Sequence, residues 1–250
     1  MNQEKCFSVY KHIGETPLKA LERVRISKGL DPLLPMTYAG RLDPMAEGVL
    51  LILVGEECKK KEQYLGLNKV YEVEVLLGFE TDTGDLLGKV KSQNSKSHIE
   101  TQKAELEQVL KSLEGKFVQE YPAFSSKTVN GEPLFAYAKG LAKSGNLPET
   151  LPTKEVEIFS IDLLEQRGVS SKVLLDYILE NIAKVKGDFR QEEVVSLWRD
   201  VLQGSLGSFQ IAKIKVSCSS GTYMRSLAES IGKKLDSFAL AFSIKRTRVG

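Results

Sequence analysis

Three things are scarce in this chain of 250 residues, and each scarcity removes a class of function. Cysteine occurs only at Cys6, Cys58 and Cys218, an odd number set far apart. That spacing supplies neither a disulfide framework nor a zinc-ligand pattern, and it suits a reducing, cytoplasmic location. Histidine occurs only at His12 and His98, too few and too scattered for a metal centre. Long apolar runs are also missing. Nothing approaches the roughly 20 residues of a membrane-crossing helix, and no apolar signal core follows Met1 to Cys6. Charge is nearly balanced, with 35 Lys and Arg against 33 Asp and Glu. A nucleic-acid partner is therefore to be sought in local patches rather than in the net charge of +2. Hydrophobic content of 42% and charged content of 27% are those of a globular protein long enough to bury a core as one elaborated domain.

The chain is organised around residues 38–55, Tyr38-Ala39-Gly40-Arg41-Leu42-Asp43-Pro44-Met45-Ala46-Glu47-Gly48 followed by Val49 to Val54 and Gly55. The unbroken apolar run predicts a strand buried on both faces. The Gly40, Pro44 and Gly48 segment before it predicts a turning loop. Asp43 sits in that loop with Arg41 two residues before it. An Asp before a Pro is often a turn residue bonding nearby backbone. A carboxylate on a loop braced by a buried strand is also well placed for chemistry.

Other segments add to this frame. Thr16 and Pro17 predict a helix start, with Leu18, Leu21 and Val24 as its buried stripe and Lys19, Arg23 and Arg25 as a basic face for solvent or phosphate. Lys59, Lys60 and Lys61 form a basic cluster after Gly55. Residues 69–78 alternate, with Tyr71, Val73, Val75 and Leu77 on one face and Glu72 and Glu74 on the other, which predicts a half-buried strand. Thr81-Asp82-Thr83-Gly84-Asp85 reads as a polar turn, since it lacks the distal Glu of a calcium loop. Residues 91–98 read as a polar connector and 99–113 as a helix stopped by Gly115. Residues 121–150 interleave aromatics, lysines and turn residues. Residues 154–163 predict a strand. Within 166–205, Asp188 is a candidate cap for a helix carrying Val194, Val195, Trp198, Val201 and Leu202, with Trp198 read as core. Ile214, Val216 and Cys218 alternate as a strand, and Met224, Leu227, Ile231 and Leu235 form the stripe of a following helix.

Four of these segments resemble one family. Gly40-Arg41-Leu42-Asp43-Pro44-Met45-Ala46-Glu47-Gly48-Val49-Leu50 resembles the catalytic motif of pseudouridine synthases, most closely the TruB family. Thr81-Asp82-Thr83-Gly84-Asp85 after Gly78 is similar to a segment characteristic of that family. Gly221-Thr222-Tyr223-Met224-Arg225-Ser226-Leu227 and Ile244-Lys245-Arg246-Thr247 look like its later motifs. Lys11, Gly14 and Thr16 match part of its opening element, and Pro122, Ser125, Lys127, Gly131, Phe135 and Lys139 part of its RNA-contacting insertion.

The resemblance implies an α+β fold with a mixed, antiparallel-rich sheet and the Asp43 loop in a central cleft. It implies isomerisation of uridine to pseudouridine in the T-loop of tRNA, with no cofactor and no metal. Asp43 would be the catalytic carboxylate, and attack on C1′, attack on the base and proton abstraction are all open to it. Arg225 would pair with Asp43. Tyr71 would lie against the target base, Tyr223 and Ile244 would line its pocket, and Lys59 and Arg41 would stand close to the loop. Tyr38 stands where the family commonly has His, keeping an aromatic face without the imidazole. The family usually carries a small C-terminal RNA-binding domain, and this sequence stops at Gly250. A monomer relying on residues 121–150 and a lysine-rich face for tRNA is expected, with 166–205 as an insertion of unassigned role. A ribosomal-RNA synthase and an inactive tRNA-binding or folding module are the alternatives.

Overall fold

The computed structural model describes residues 5–93, 101–143, 145–203 and 207–250. The connector expected over 91–98 lies outside the described residues from 94 onward, and His98 with it. In chain order the elements are β1 (Cys6–Lys11), α1 (Pro17–Ser27), β2 (Met36–Ala39) and β3 (Ala46–Val54), then a 3-10 turn (Gly55–Lys60), α2 (Lys61–Leu65), β4 (Lys69–Leu77), β5 (Phe79–Thr81) and β6 (Val90–Gln93). There follow α3 (Lys103–Lys111), β7 (Gly115–Glu120), a short hairpin of β8 (Thr128–Val129) and β9 (Glu132–Pro133), and α4 (Leu134–Ala138). The last third comprises β10 (Thr153–Ser170), α5 (Ser171–Lys184), α6 (Gln191–Leu202), β11 (Ser208–Cys218), α7 (Met224–Lys234) and β12 (Ala239–Val249).

Eight strands form one sheet in the order β1-β3-β12-β4-β11-β10-β7, with β2 also on β3. Every pairing in it is antiparallel except β3 with β12. The sheet is mixed and mostly antiparallel, as expected. Alternation along β4 divides its side chains between two cores. Val73, Val75 and Leu77 join Leu227, Ala228 and Ile231 of α7 and Leu106 and Leu110 of α3. On the opposite face Leu76 packs with Phe209, Leu240 and Phe242 against Ile178 of α5 and Trp198 of α6. Trp198 is completely buried and donates Nε1–H to Leu86 O at 3.1 Å, so its one polar atom is satisfied. Glu72 and Glu74, on that second face, are paired with Lys213 and Arg167. Helix α1 covers β1 and β3 as a third cluster.

Local signals hold at the start of α1. Thr16 accepts from Lys19 N and Pro17 opens the helix, a cap worth about 1 kcal/mol. Its stripe is displaced, however: Ala20, Leu21 and Val24 are buried, whereas Leu18 is exposed. Leu18 shares the first turn with the buried Ala20 but points away from the face that Ala20, Leu21 and Val24 bury. The basic face is mostly engaged, Arg23 with Glu15 and Tyr10 O, Arg25 with Asp31 O and Leu34 O. The helix expected over 99–113 spans Lys103–Lys111, and Gly115 opens β7 instead of ending it. Residues 166–170 continue β10, and two helices follow rather than one. Asp188 does not cap α6. Arg190 occupies that position in a left-handed conformation, and Asp188 Oδ1 accepts from its N–H.

Gly48 lies inside β3, not in the preceding loop. Its φ of +110° suits glycine alone, and a Cβ there would stand 2.1 Å from Arg246 O. The parallel register of Gly48 against Arg246 needs that close approach.

Candidate active site

Asp43 lies in the loop between β2 and β3. Its loop is tied down from several directions. Ala46 N donates to Asp43 O at 3.0 Å and Gly14 N to Pro44 O at 2.8 Å. Lys11, fully buried at the end of β1, donates Nζ to Ala46 O at 2.6 Å and to His12 O at 3.1 Å. Arg246 of β12 is buried at 1% exposure and reaches the loop from the other side. It donates to Val49 O at 2.7 Å, Gly40 O at 3.0 Å and Arg41 O at 3.4 Å. Both ends of the loop are thus fixed by buried cations bonded to carbonyls, a geometry suited to holding a reactive carboxylate still.

Arg225, the second residue of α7, donates Nε to Asp43 Oδ2 at 2.8 Å. Its Nη1 donates to Thr83 O at 2.6 Å and its Nη2 to Phe124 O at 3.2 Å. Asp85 Oδ2 stands 3.9 Å away. The Arg225 side chain is 3% exposed and that of Asp43 is 38% exposed. The arginine therefore serves as the holder, while the carboxylate remains open to a reactant. Burial opposes the guanidinium charge, but the Asp43 and Asp85 carboxylates outweigh it and raise the Arg225 pKa. Burial pushes the Asp85 carboxyl above its ordinary range, against the pull of Arg225 and Thr83.

Two cavities meet at this pair. The larger, about 680 Å³, runs over Tyr71, Tyr223, Ile244 and Lys69 and is rimmed by Arg41, Lys61, Lys127 and Lys154. The smaller, about 480 Å³, lies on the other side of Asp43 and Arg225, against Leu42, Phe124, Phe135, Phe189, Lys139 and Arg190. Tyr38 and Arg41 border both. Tyr71, on β4, is cross-strand from Arg246 and Val216, and burial raises its phenol pKa. Tyr223 caps α7, and Gln119 of β7 fixes its backbone, accepting from its N–H at 2.8 Å and donating to its carbonyl at 3.3 Å. Its ring meets Tyr121 edge-on at 5.7 Å. Lys127 lies over Tyr121 and Lys61 over Tyr38. Among the described residues no three His, Cys, Asp or Glu side chains converge as metal ligands. No helix among them is long and apolar enough to cross a membrane.

The structure brings Asp43, Arg225, Tyr71, Tyr38, Tyr223, Ile244 and Arg41 to one cleft. Arg41 Nη1 donates to Ser126 Oγ across it. Lys59 is not there. The 3-10 turn carries it to the outer surface, where its Nζ pairs with Glu56 at 2.6 Å. Lys61, at the start of α2, occupies the rim instead. Sequence reasoning assigned no role to Lys69, Asp85 or Arg246, and the Lys11 match did not reveal that residue as a buried anchor. Three of these left a legible signal. Lys11 shares the inward face of β1 with Phe7, Lys69 that of β4 with Tyr71 and Val73, and Arg246 that of β12 with Ile244. A cation at an inward period-two position has to be bonded there.

Comparisons with known proteins identify a family. The model of the family described as "TruB family pseudouridylate synthase (N terminal domain)" matches residues 35–181. The tRNA pseudouridine synthase B of Bordetella avium (strain 197N) is 28% identical over 240 residues, which cover 96% of this chain and 78% of that protein. That of Listeria monocytogenes serovar 1/2a (strain ATCC BAA-679 / EGD-e) is 32% identical over 213 residues, covering 85% of this chain and 56% of that protein. Among solved structures, the crystal structure of a Cbf5-Nop10-Gar1 complex aligns with a TM-score of 0.58 at 17% identity. It covers 98% of this chain and 49% of that one, so the chain spans about half the length of its structural neighbour. At that identity the likeness speaks for the fold.

Proposed function

The chain belongs to the TruB family of pseudouridylate synthases, and from that membership and the geometry of the cleft we propose that it isomerises uridine to pseudouridine in the T-loop of tRNA. The observation that carries this reading is the Asp43–Arg225 pair, an accessible carboxylate held by a buried arginine where two cavities meet. The relatives named tRNA pseudouridine synthase B support the substrate class.

The reaction breaks the C1′–N1 bond, turns the uracil and forms a C1′–C5 bond. The hydrogen on C5 leaves to solvent and N1 gains one. Nothing is oxidised or reduced and no group leaves the nucleotide, so the chemistry requires no cofactor. It does require a carboxylate at the sugar–base junction. That part falls to Asp43, with Arg225 aiming it. The base must leave its stack, at a cost of a few kcal/mol. Stacking on aromatic rings recovers about 1–3 kcal/mol per base, and Tyr71 and Tyr223, which line the larger cavity together with Asp43, are the rings suited to it. Ile244 supplies an apolar edge. Arg41, Lys61, Lys127 and Lys154 on the rim are suited to backbone phosphates. Residues 121–150, which include the short hairpin and α4, are the segment proposed to contact the T-arm. The enzyme is read as a cytoplasmic monomer.

The test is tritium release from a tRNA transcript labelled at uridine C5, with wild type and Asp43→Asn and with the modified position mapped. Release by wild type alone, at a T-loop uridine, is the expected result. Release at another position would remove the T-loop assignment. Binding of tRNA without release would leave an inactive binding module.

A further inference from the structure

We propose that Arg190, contributed by the α5–α6 segment, is a positioning residue that clamps the two loops holding Arg225. The inference rests on the catalytic reading of Asp43 and Arg225. Arg225 is held by two backbone carbonyls besides Asp43, those of Thr83 and Phe124. These belong to loops distant in sequence. Arg190 fastens both. Its Nη1 donates to Asp82 Oδ2 at 2.6 Å and its Nη2 to Asp82 Oδ1 at 3.3 Å, a two-pronged grip on the residue next to Thr83. Its guanidinium also lies over the Phe124 ring, 4.8 Å from the centroid. One arginine thereby sets the separation of the two carbonyls that the other must span.

The local backbone points the same way. Arg190 adopts φ +62°, a left-handed conformation unfavourable for a side chain of this size. Its Nε is a buried donor with no acceptor among the described residues. A residue that is both strained and incompletely satisfied is kept in place by its surroundings, and such residues gather at functional sites. Those surroundings form a bonded turn. Gln191 Nε2 donates to Gly187 O and Val185 O, Phe189 N donates to Gln191 Oε1, and Lys139 Nζ donates to Asp188 O. The turn before α6 is therefore built to present Arg190 to Asp82 and Phe124. This gives the α5–α6 segment, about thirty residues from Ser171 to Leu202, a task at the active site as well as in the core.

The test separates positioning from simple stability. Single-turnover tritium release at saturating enzyme reports chemistry, and tRNA binding is measured separately. Arg190→Gln and Asp82→Asn are each expected to slow release about tenfold or more with the tRNA Kd within twofold. Their combination is expected to be no slower than Arg190→Gln alone, since that change already removes both the Asp82 and the Phe124 contact. Asp82→Asn keeps shape and volume should Arg190→Gln fold poorly. Leu202→Ala, at the far end of α6, serves as the control: it lowers thermal stability and leaves release by folded enzyme unchanged. An unchanged rate in both clamp variants would overturn the proposal. So would a slowing that Leu202→Ala reproduces in proportion to lost stability, or a weaker Kd with a normal saturating rate, which would make Arg190 an RNA contact. Silence of the wild type would sink the proposed function and the clamp together, whereas an active wild type with unaffected variants would sink the clamp alone.

Discussion

Replacing Arg246 by Met tests whether the position of Asp43 is set from β12. The side chain is buried and fills the space between the strand and the Gly40–Arg41 backbone. Methionine conserves most of the volume and removes all donors. Val49 O, Gly40 O and Arg41 O, at 2.7, 3.0 and 3.4 Å, lose their partner together. A stranded buried acceptor costs about 1–3 kcal/mol, and the longest of the three bonds is weak. The expected loss is therefore about 3–5 kcal/mol, within the 5–15 kcal/mol typical of a whole domain, so the variant folds. The catalytic effect is separable. Lys11 and Gly14 still hold residues 44–46, but the 40–41 side of the loop is free. A displacement of about 1 Å at a reacting group can cost 10²-fold in rate. Urea titration gives the first quantity, and single-turnover tritium release well below the unfolding midpoint gives the second. Arg246→Lys, which keeps the charge and can reach one carbonyl, is expected to fall between. A lowered urea midpoint with a release rate within about threefold of wild type would refute the reasoning, because the loop would then hold its place without Arg246.

Gly48→Ala should destabilise by about 1–3 kcal/mol from the backbone conformation alone. The 2.1 Å approach to Arg246 O adds displacement of β12, read as a lower melting temperature. Arg225→Lys keeps a charge near Asp43 but cannot satisfy Asp43 Oδ2, Thr83 O and Phe124 O at once. Hydrogen bonds to charged groups are worth about 1.5–3 kcal/mol, so a loss of at least tenfold in kcat is expected, with stability also reduced. Lys61→Ala should weaken tRNA binding severalfold and reduce its salt dependence, whereas Lys59→Ala should do neither, because only Lys61 lines the cleft. The pH dependence of stability has a definite sign. Burial lowers the Lys11 and Lys69 amines from 10.5 to about 8. Between those values the unfolded chain holds protons that the native state has released, so stability rises with pH. Lys11 contributes up to about 1.4 kcal/mol per pH unit there and Lys69 less. The gain shrinks from pH 9, where burial holds the Cys218 thiol up to about 11, and ends as pH passes 10, where Tyr10 and Tyr177, raised to about 12 by burial, favour folding progressively less. Urea midpoints measured across this window should climb in wild type and climb less in Lys11→Met.

The local elements were legible because they rest on local physics. A Thr-Pro pair starts α1, an apolar run becomes β3, and strict alternation marks β4 and β11. The family motifs also pointed to one cleft, and Asp43, Arg225, Tyr71, Tyr223 and Ile244 do meet there. Local pattern misled where the partner surface was unknown. Leu18 has the right spacing for burial, but the face of its turn that meets the core is the one carrying Ala20. Lys59 sits in a lysine run whose exposed and cleft-facing members differ only through the 3-10 geometry of residues 55–60. Two helices occupy 171–202, where the sequence suggested one.

By itself, then, the sequence pointed to the class of fold through motif, periodicity and capping, and its family resemblance singled out Asp43 and the residues proposed to surround it. Only the tertiary structure decided how the loop carrying the carboxylate and the segments around Arg225 are anchored. Lys11, Arg246 and Arg190 act on segments at least 35 residues away in sequence. Their targets are chiefly backbone carbonyls or a turn carboxylate, which carry no distinctive sequence signature. Sheet register and helix packing bring those partners together, and for that reason the assembled chain alone reveals them.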